Sequence, residues 1–483
     1  MSEAPASSAV VRARPFLPPL AACTFAALWI LAFPPFDVAE AAYVLATPLI
    51  ALSLLPLSRR AWHGWTFAAG FLAWFGTLIW LRHVEPPFGL LGNALLSAVL
   101  AVFIWAWAWS VRKLFPYALT QKAGKRLLLL AAIAGLWVIF EWVRSWLFTG
   151  FPWLPLAASQ WQRPPMLQLL PWTGGYGLSF LLVFFNLAIV SYIRNLVIPN
   201  PGQKADGDPA PSPEPISLRF IARPCTEFYL ALGALFGVLG LFFATLSEQQ
   251  NTLPAFRAGV VQPWITTKWE PGDAEKHARN LRRLTAEAAA QKPDVIIWPE
   301  AALPYLVTTH KPLPDGAEKT FMLRFVESVV ADAQVPLLSG FLSEDPSGIR
   351  TPVFLPDPET GYYKQRLVPF GEYVPLSLSF IRSVVPVPGD IAPGTGPATI
   401  AIRRAAVPGE SLQAGPLICY EDIFPSLGRG LVKAGADWLL VITNDVWYGQ
   451  EGGAYQHAAH SVLRAAETRR PVVRCGNHGW NGW

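Results

Sequence analysis

The run Gly415-Pro416-Leu417-Ile418-Cys419-Tyr420-Glu421-Asp422 starts as a short apolar strand and then places a thiol beside acidic residues. Further short apolar runs occur in this half of the chain: Phe256–Gln262, Asp294–Trp298, Pro336–Phe341, Trp438–Thr443 and Pro471–Arg474. Stretches with helical spacing of their apolar residues, at 273–290 and 454–470, lie between some of them. Alternating strands and helices predict an α/β domain of stacked layers.

The first half of the chain has a different character. Seven apolar stretches are long enough, or nearly so, to cross ~30 Å of hydrocarbon as helices: 16–34, 40–57, 62–81, 88–111, 127–148, 173–193 and 227–246. Because a helix satisfies its own backbone hydrogen bonds in lipid, we expect a multi-pass α-helical membrane bundle. The chain therefore divides into a transmembrane domain of about seven helices, 1–250, and an α/β domain, 251–483. Within the first, the proline-rich segment 199–216 is expected to be a disordered cytoplasmic loop.

The charge distribution predicts an orientation. Residues 1–250 carry 16 Lys/Arg against 10 Asp/Glu, whereas residues 251–483 carry 22 against 23. The basic residues of the first half fall on alternate connections, and the opposite connections carry only Arg82 and Arg163. The positive-inside rule then places the N-terminus in the cytoplasm and, after seven crossings, the α/β domain in the periplasm. Basic residues confined to an apolar half are topology signals, so no nucleic-acid partner is expected.

Residues with catalytic chemistry gather where predicted strands end. Glu300 follows one apolar run, Cys419 ends another, and Lys364 and Glu372 lie eight residues apart between them. An open α/β sheet usually places its site at strand ends. A cysteine that reacts at neutral pH needs a base or a cation nearby. Glutamate can accept the thiol proton and lysine can stabilise a thiolate or an oxyanion, so a Glu–Lys–Cys triad is possible.

Each of these residues also has a structural interpretation. A cysteine at a strand end is most often a small buried hydrophobic residue. Lys364, beside two tyrosines, could be a solvated surface residue, and Glu300, after a proline, could be an acid at a helix N-terminus. His457 and His460 could bind a metal with Asp445, but no further ligand has matching spacing, so no metal site is predicted.

Two residue pairs remain open from the residues alone. Glu141 and Arg144 lie three apart on one face of the fifth apolar stretch, where they could be functional or could simply neutralise each other. Four cysteines in a chain of this length do not suggest a disulfide framework, although a bridge between Cys419 and Cys475 stays possible.

Together these residues match the pattern of a known family. The second half resembles the nitrilase, or carbon–nitrogen hydrolase, superfamily, whose signature is an ordered Glu, Lys and Cys at strand ends. With the helical half, the chain resembles the bacterial apolipoprotein N-acyltransferases. The stretches that carry the resemblance are Phe151-Pro152-Trp153-Leu154, Val261-Gln262, Lys268-Trp269, Trp298-Pro299-Glu300, the highly specific Leu367-Val368-Pro369-Phe370-Gly371-Glu372-Tyr373-Val374-Pro375, Cys419-Tyr420-Glu421 and Asn444-Asp445-Val446-Trp447-Tyr448-Gly449. The resemblance implies a nitrilase-like αββα sandwich on a multi-helix membrane bundle.

The resemblance also implies a division of roles. Glu300 would be the general base, Lys364 the stabiliser of oxyanion and thiolate, Cys419 the nucleophile, and Glu372 the residue that orients the lysine. The implied substrate-binding residues are Trp153, Trp269, Tyr420, Glu421, Asn444 and Trp447. In the implied reaction Cys419 takes an acyl chain from a membrane phospholipid and passes it to the lipid-modified N-terminal cysteine of an apolipoprotein. No cofactor is implied, and we expect a monomer in the bacterial inner membrane.

Two other functions compete with this one. A membrane-tethered amidase or nitrilase would use the same triad on a small amide, with water resolving the thioester. A transporter or scaffold with an inactive α/β domain has only Glu141 and Arg144 in its favour.

The chain departs from the family pattern in three places. Trp264 replaces an expected Asn, and Arg350–Val353 replaces a Tyr-Asn-Ser-like segment. The chain also ends at Trp483, where the family typically continues, so we expect it to lack the final strands and the C-terminal membrane helix.

Overall fold

The computed structural model describes residues 15–84, 88–197, 225–246, 256–265, 273–303, 306–308, 321–345, 348–354, 361–375, 379, 391–404 and 409–483. The chain forms two compact units. The helical unit comprises Met1–Arg82, Pro87–Phe140 and Ser179–Gly237, and the sandwich unit comprises His83–Pro86, Glu141–Leu178 and Val238–Trp483. The predicted loop 199–216 lies outside the described residues.

The first half of the chain is helical where it is described. Its helices are α1 (Leu17–Ala32), α2 (Thr47–Leu54), α3 (Arg59–Thr77), α4 (Phe88–Leu119), α5 (Ala123–Arg144), α6 (Pro164–Leu167), α7 (Leu170–Val197) and α8 (Thr226–Leu246). Among the described residues, α4, α5, α7 and α8 are long and apolar enough to cross a membrane. The predicted span 40–57 consists of a 3-10 helix, Ala39–Tyr43, followed by the short α2. Seven crossings therefore stay a prediction.

Several buried polar side chains in the helical unit are hydrogen-bonded to one another or to the backbone. The Asn186 side chain accepts a hydrogen bond from the Ala46 amide at 2.8 Å. Arg126 donates to the fully buried carboxylate of Glu227 at 2.7 Å. Because hydrocarbon offers no hydrogen-bond partner, such internal pairing removes a desolvation cost that would otherwise oppose folding in the membrane.

The sandwich unit contains two main β-sheets and one small one. The first sheet has the order β1-β2-β4-β7-β8, and the second has the order β12-β11-β10-β9. The strands are β1 (Ala258–Val260), β2 (Val295–Ile297), β3 (Leu306–Thr308), β4 (Leu337–Gly340), β5 (Leu342–Asp345), β6 (Gly348–Arg350), β7 (Pro352–Phe354), β8 (Gly361–Tyr363), β9 (Ile400–Arg403), β10 (Ser411–Ile418), β11 (Trp438–Thr443) and β12 (Val472–Gly476). Strands β3, β5 and β6 form the small sheet. The central pairs β1–β2–β4 and β10–β11–β12 are parallel.

The two main sheets pack against each other through one apolar core. Ile297 and Leu338 of the first sheet contact the cluster that contains Leu417 and Val441 of the second. Full burial of each such side chain contributes roughly 1.5–3 kcal/mol to stability. Strands covered on both faces are expected to be continuously apolar, and Trp438–Thr443 is buried at every position.

Helices cover the outer faces of both sheets. Trp298 and Leu337 pack in a second core with α9 (Asp273–Ala289) and α10 (Phe321–Ala333). On the other side, α11 (Pro425–Lys433) contacts β10 and α12 (Gly453–Thr468) contacts β12. The order of layers is therefore helix, sheet, sheet, helix, which agrees with the αββα expectation.

The segment after α5 has an unusual backbone and is anchored by the end of that helix. Phe148, Thr149 and Gly150 have successive φ values of 53°, 91° and 87°. Glu141 accepts a hydrogen bond from the Leu156 amide at 2.7 Å. This contact gives Glu141 a structural role, because it fixes the turn that carries Trp153.

Candidate functional site

Cys419 lies at an abrupt change of backbone direction. Strand β10 ends at Ile418, and a 3-10 helix, Cys419–Ile423, begins at the next residue. The φ of Cys419 is 51°, in the left-handed region that residues with a side chain rarely adopt. Such strained residues cluster at functional sites, and they persist only where the surrounding structure holds them. The cysteine is partly buried and its thiol is free.

The structure brings the four predicted catalytic residues together. Lys364 Nζ donates to Glu300 Oε1 at 3.2 Å and to Glu372 Oε1 at 2.6 Å, and the lysine side chain is only 1% exposed. Glu372 Oε2 in turn accepts the Val368 amide at 2.8 Å. The Cys419 side chain hydrogen-bonds that of Glu300. Lys364 is thus a buried ammonium between two carboxylates, one of which contacts the thiol.

The electrostatics of this group define its resting protonation. Burial and the negative charge of Glu300 raise the pKa of Cys419 well above its usual value, although Lys364 opposes them. Burial also raises the pKa of Glu300, and Glu372 adds to this against the lysine. Burial opposes the charge on Lys364, but the carboxylates of Glu300 and Glu372 outweigh it and raise the lysine pKa well above its usual value. The sulfur therefore rests as a thiol beside a carboxylate basic enough to take its proton.

Glu421 joins the strand end that carries Lys364 to the one that carries Cys419. Its carboxylate accepts the backbone amides of Gln365 at 2.6 Å and Ile418 at 2.8 Å. Burial raises its pKa to about 7, although these backbone hydrogen bonds favour the charged form. Glu421 is predicted to bind substrate, and its side chain is 0% exposed. The contacts described for it join strand ends inside the protein, so its binding role stays a prediction.

The other predicted binding residues differ in their exposure. Trp153 is buried, and its indole donates to Gln456 Oε1 at 3.0 Å. Tyr420 is also buried and donates to the Gly150 carbonyl at 2.9 Å. The Asn444 side chain accepts from that of Asn477 at 3.1 Å. Trp447 is 46% exposed and so is available to a substrate.

One predicted substrate-binding residue lies outside the described residues, and one exposed aromatic residue of the site region was not predicted. Trp269 lies outside the described residues. Phe370 is 42% exposed and was not singled out, although it belongs to the specific run Leu367–Pro375. An aromatic residue between Pro369 and Gly371, in a turn, is the signal that would have indicated it.

A fully buried ionic cluster adjoins Cys419, and we call its members Asp422, Asp445, His457 and Arg474 the ionic cluster. Arg474 donates to Asp422 Oδ2 at 3.1 Å and to Asp445 Oδ2 at 2.6 Å. His457 bridges the same two carboxylates at 2.9 Å on each ring nitrogen. Burial raises the pKa of both carboxyls, but the neighbouring cations outweigh it and lower them. Burial disfavours the imidazolium, yet Asp422 and Asp445 raise the pKa of His457 to about 9.

By sequence alone, His457 and His460 could bind a metal together with Asp445. The structure pairs His457 with Asp445 but places the arginine cation against the same carboxylates, and His460 Nε2 accepts the Leu154 amide at 3.2 Å. Among the described residues, no group of three or more His, Cys, Asp or Glu side chains is arranged so that it could hold a metal ion. The missed signal was Arg474, a charged residue inside the apolar strand β12. Cys419 and Cys475 are both free thiols.

Comparison with known proteins gives the family. Residues 25–188 match the apolipoprotein N-acyltransferase N-terminal domain, and residues 257–482 match the carbon-nitrogen hydrolase domain. The apolipoprotein N-acyltransferase of Geobacter metallireducens is 30% identical over 466 residues, which cover 93% of this chain and 81% of that protein. The chain belongs to the apolipoprotein N-acyltransferase family. The enzyme of the same name from Allorhizobium ampelinum is 31% identical over 453 residues, covering 88% and 75% of the two chains.

Membership of the apolipoprotein N-acyltransferase family makes this protein an acyltransferase with membrane-spanning helices. It also confirms the predicted combination of a helical membrane bundle and a nitrilase-like domain. Among solved structures, Saccharomyces cerevisiae Nit3, a member of branch 10 of the nitrilase superfamily, is similar over 46% of this chain and 75% of its own, with 16% identity and a TM-score of 0.33.

Proposed function

We propose that this protein transfers an acyl chain from a membrane phospholipid, through a thioester on Cys419, to the α-amine of the diacylglyceryl-modified N-terminal cysteine of an apolipoprotein. The observation that carries the proposal is the buried ammonium of Lys364, which donates hydrogen bonds to both Glu300 and Glu372. The Cys419 thiol is hydrogen-bonded to the carboxylate of Glu300. The names of the relatives support the acceptor. A membrane-embedded acyltransferase has phospholipid esters at hand as donors.

The first half-reaction loads the enzyme. Glu300 takes the proton from Cys419 as the sulfur attacks the ester carbonyl carbon of the phospholipid. The Lys364 ammonium stabilises the oxyanion that forms, in a buried site where such an interaction is stronger than in water. When the tetrahedral intermediate collapses, the C–O bond breaks and Glu300 returns its proton to the leaving alkoxide. The products are a lysophospholipid and the Cys419 thioester.

In the second half-reaction Glu300 again accepts a proton and then returns it. The neutral amine of the acceptor attacks the thioester carbon, and Glu300 accepts a proton from the nitrogen. The C–S bond then breaks, the amide forms, and the sulfur recovers a proton from Glu300. Burial raises the pKa of Glu300 from its usual acidic range, in the direction that makes a carboxylate a better general base. Splitting ester-to-amide transfer at a thioester replaces one difficult step by two easier ones.

We also propose the inner membrane as the location, with the N-terminus cytoplasmic, the catalytic domain periplasmic, and the monomer as the working unit. The long apolar helices support a membrane location. The charge bias of the first half supports a cytoplasmic N-terminus, and the periplasmic placement of the catalytic domain follows from the seven predicted crossings. Because donor and acceptor are both anchored in the bilayer, an enzyme held there meets them at high effective concentration.

The intact mass of the purified protein, with and without hydroxylamine, tests the proposal. We expect a hydroxylamine-labile adduct of fatty-acyl size on the wild type and on Cys23→Ala, which removes an exposed thiol, but not on Cys419→Ala. Adding a diacylglyceryl peptide should discharge the adduct onto the peptide amine. An unmodified Cys419 in the presence of phospholipid would contradict the proposal, and discharge to free fatty acid in spite of the peptide would favour the hydrolase alternative.

A further inference from the structure

The backbone at Cys419 is held by a side chain from a distant helix. His457 Nε2, on α12, lies 3.1 Å from the Cys419 carbonyl oxygen and 2.9 Å from Asp422 Oδ1. Its other ring nitrogen lies 2.9 Å from Asp445 Oδ1. The carbonyl that accepts this contact belongs to the residue with the left-handed φ of 51°. A strained residue keeps its conformation only when such contacts over-determine it.

We propose that His457, held as an imidazolium, is a positioning residue that fixes the nucleophile backbone and balances the buried charge beside the thiol. The inference rests on the proposed role of Cys419 as the nucleophile. His457 touches no reacting atom, so its effect passes through the Cys419 carbonyl and through the ionic cluster.

The acceptors around the ring favour its charged form. Nε2 faces the Cys419 carbonyl and Asp422, and Nδ1 faces Asp445, so acceptors lie on both sides. A neutral imidazole carries only one N–H and would turn a lone pair toward one of them. The imidazolium donates on both sides, to the Cys419 carbonyl and to Asp445 Oδ1, and its charge also attracts the nearby Asp422 Oδ1.

Charge balance favours the same state. The ionic cluster holds two carboxylates, and all four of its side chains are 0% exposed. With Arg474 and the imidazolium it sums to zero, whereas a neutral His457 would leave one uncompensated negative charge in the interior. Arg474 lies 2.9 Å from Nδ1 and opposes protonation of the ring. Tyr448 and Trp153 also pack against the ring without adding a charge. His460, on the same helix, is electrostatically coupled to His457, and burial together with nearby cations lowers the pKa of His460 well below its usual value.

The charge of the ionic cluster affects the pKa of the Cys419 thiol. Asp445 raises the pKa of Cys419, after the larger effects of burial and Glu300, because its negative charge disfavours a thiolate. Loss of the His457 proton would therefore add net negative charge near the sulfur and remove a hydrogen bond from the Cys419 carbonyl. Both effects slow formation of the thioester as the pH passes through the pKa of His457, at about 9.

The test compares His457→Gln with His460→Gln in the full chain. His460 lies on the same helix and is also buried, but its described hydrogen bond is to the Leu154 amide. Two rates are measured against pH: acyl transfer from phospholipid vesicles to a diacylglyceryl peptide, and alkylation of Cys419 by iodoacetamide. For His457→Gln we expect kcat to fall on the order of 10²-fold with little change in KM, as displacement of a reacting group by about 1 Å produces. The wild type and His460→Gln should show an inflection near pH 9 in both profiles, and His457→Gln should lack it.

A direct observation supplements the variants if His457→Gln does not fold. The ring nitrogens of histidine labelled with nitrogen-15 distinguish imidazolium from imidazole by NMR, and a neutral His457 at pH 7 in the wild type would overturn the proposal. So would an unchanged inflection in a folded His457→Gln, or an equal loss of kcat and thermal stability in both variants. Because alkylation needs no lipid substrate, an inflection in alkylation without acyl transfer would refute the proposed function and leave this inference standing.

Discussion

Replacing Lys364 with methionine should remove most of the acylation activity. The substitution leaves Glu300 and Glu372, which share Nζ at 3.2 and 2.6 Å, without the ammonium between them. Loss of one oxyanion-stabilising donor typically costs ~10²–10³-fold in rate, about 2.7–4 kcal/mol of transition-state stabilisation. Lys364 also favours the thiolate of Cys419, so the loss should reach at least the upper end of that range.

The same substitution should also destabilise the folded protein. Breaking a buried ion pair by removing one partner costs roughly 3–5 kcal/mol. Protonation of Glu300, whose pKa is already raised, offsets part of this cost. The double variant Lys364→Met/Glu372→Gln removes one of the stranded charges, so it should recover thermal stability without recovering activity.

The assay is the time course of the hydroxylamine-labile acyl adduct, followed by intact mass on vesicles, together with the thermal unfolding temperature. An adduct that forms within tenfold of the wild-type rate in Lys364→Met would refute the assigned role of the lysine. Recovery of activity in the double variant would refute it too, because it would show that stranded charge, not the missing ammonium, had slowed the reaction.

Three further outcomes follow from the site. Glu300→Gln should slow adduct formation by ~10²–10⁴-fold, since the thiol loses its proton acceptor, while the unfolding temperature stays near that of the wild type; a rate within threefold of the wild type would contradict this. Glu421→Gln should lower the free energy of unfolding by roughly 1–3 kcal/mol, because an amide nitrogen replaces one acceptor oxygen of a buried carboxylate; an unchanged urea midpoint would argue against it. His457 has a folded-state pKa of about 9, above its usual 6.5, so its contribution is complete below pH ~6.5 and declines as the pH rises through 9. Urea titrations across that window should therefore show a decline in stability that is smaller in His457→Gln.

The four candidate catalytic residues could be singled out from local sequence because each follows a strand or a strand-linked turn, and the family resemblance implied their roles. Strands β2, β8 and β10 each place a functional residue just beyond the carboxyl end, at Glu300, Lys364 and Cys419. Glu300 and Lys364 follow strands of one sheet and Cys419 follows a strand of the facing sheet, so the meeting of these side chains also depends on how the two sheets pack. The helices of the membrane half could likewise be predicted, since a spanning helix needs a long apolar run.

The burial and the contacts of the side chains beyond the strand ends could not be predicted in this way. Tyr420, Glu421 and Asp422 are consecutive, yet each side chain serves a different part of the structure. Within a tight 3-10 turn, neighbouring side chains point in different directions, and the neighbours they meet come from segments far away in the chain. Glu421 is predicted to bind substrate, and the fold buries its side chain completely.

The ionic cluster shows why composition and spacing leave such features undetermined. Its members span residues 422 to 474 and come from a 3-10 helix, a second 3-10 helix, α12 and β12. Each charge alone would be costly to bury, and burial becomes acceptable only once packing brings opposite charges within hydrogen-bonding distance. Local sequence thus places Glu300, Lys364 and Cys419 beyond strand ends, and the family resemblance implies their roles as base, lysine and nucleophile. Long-range packing assigns the partners that hold them, because the free energy of a buried charge depends on neighbours that only the folded chain supplies.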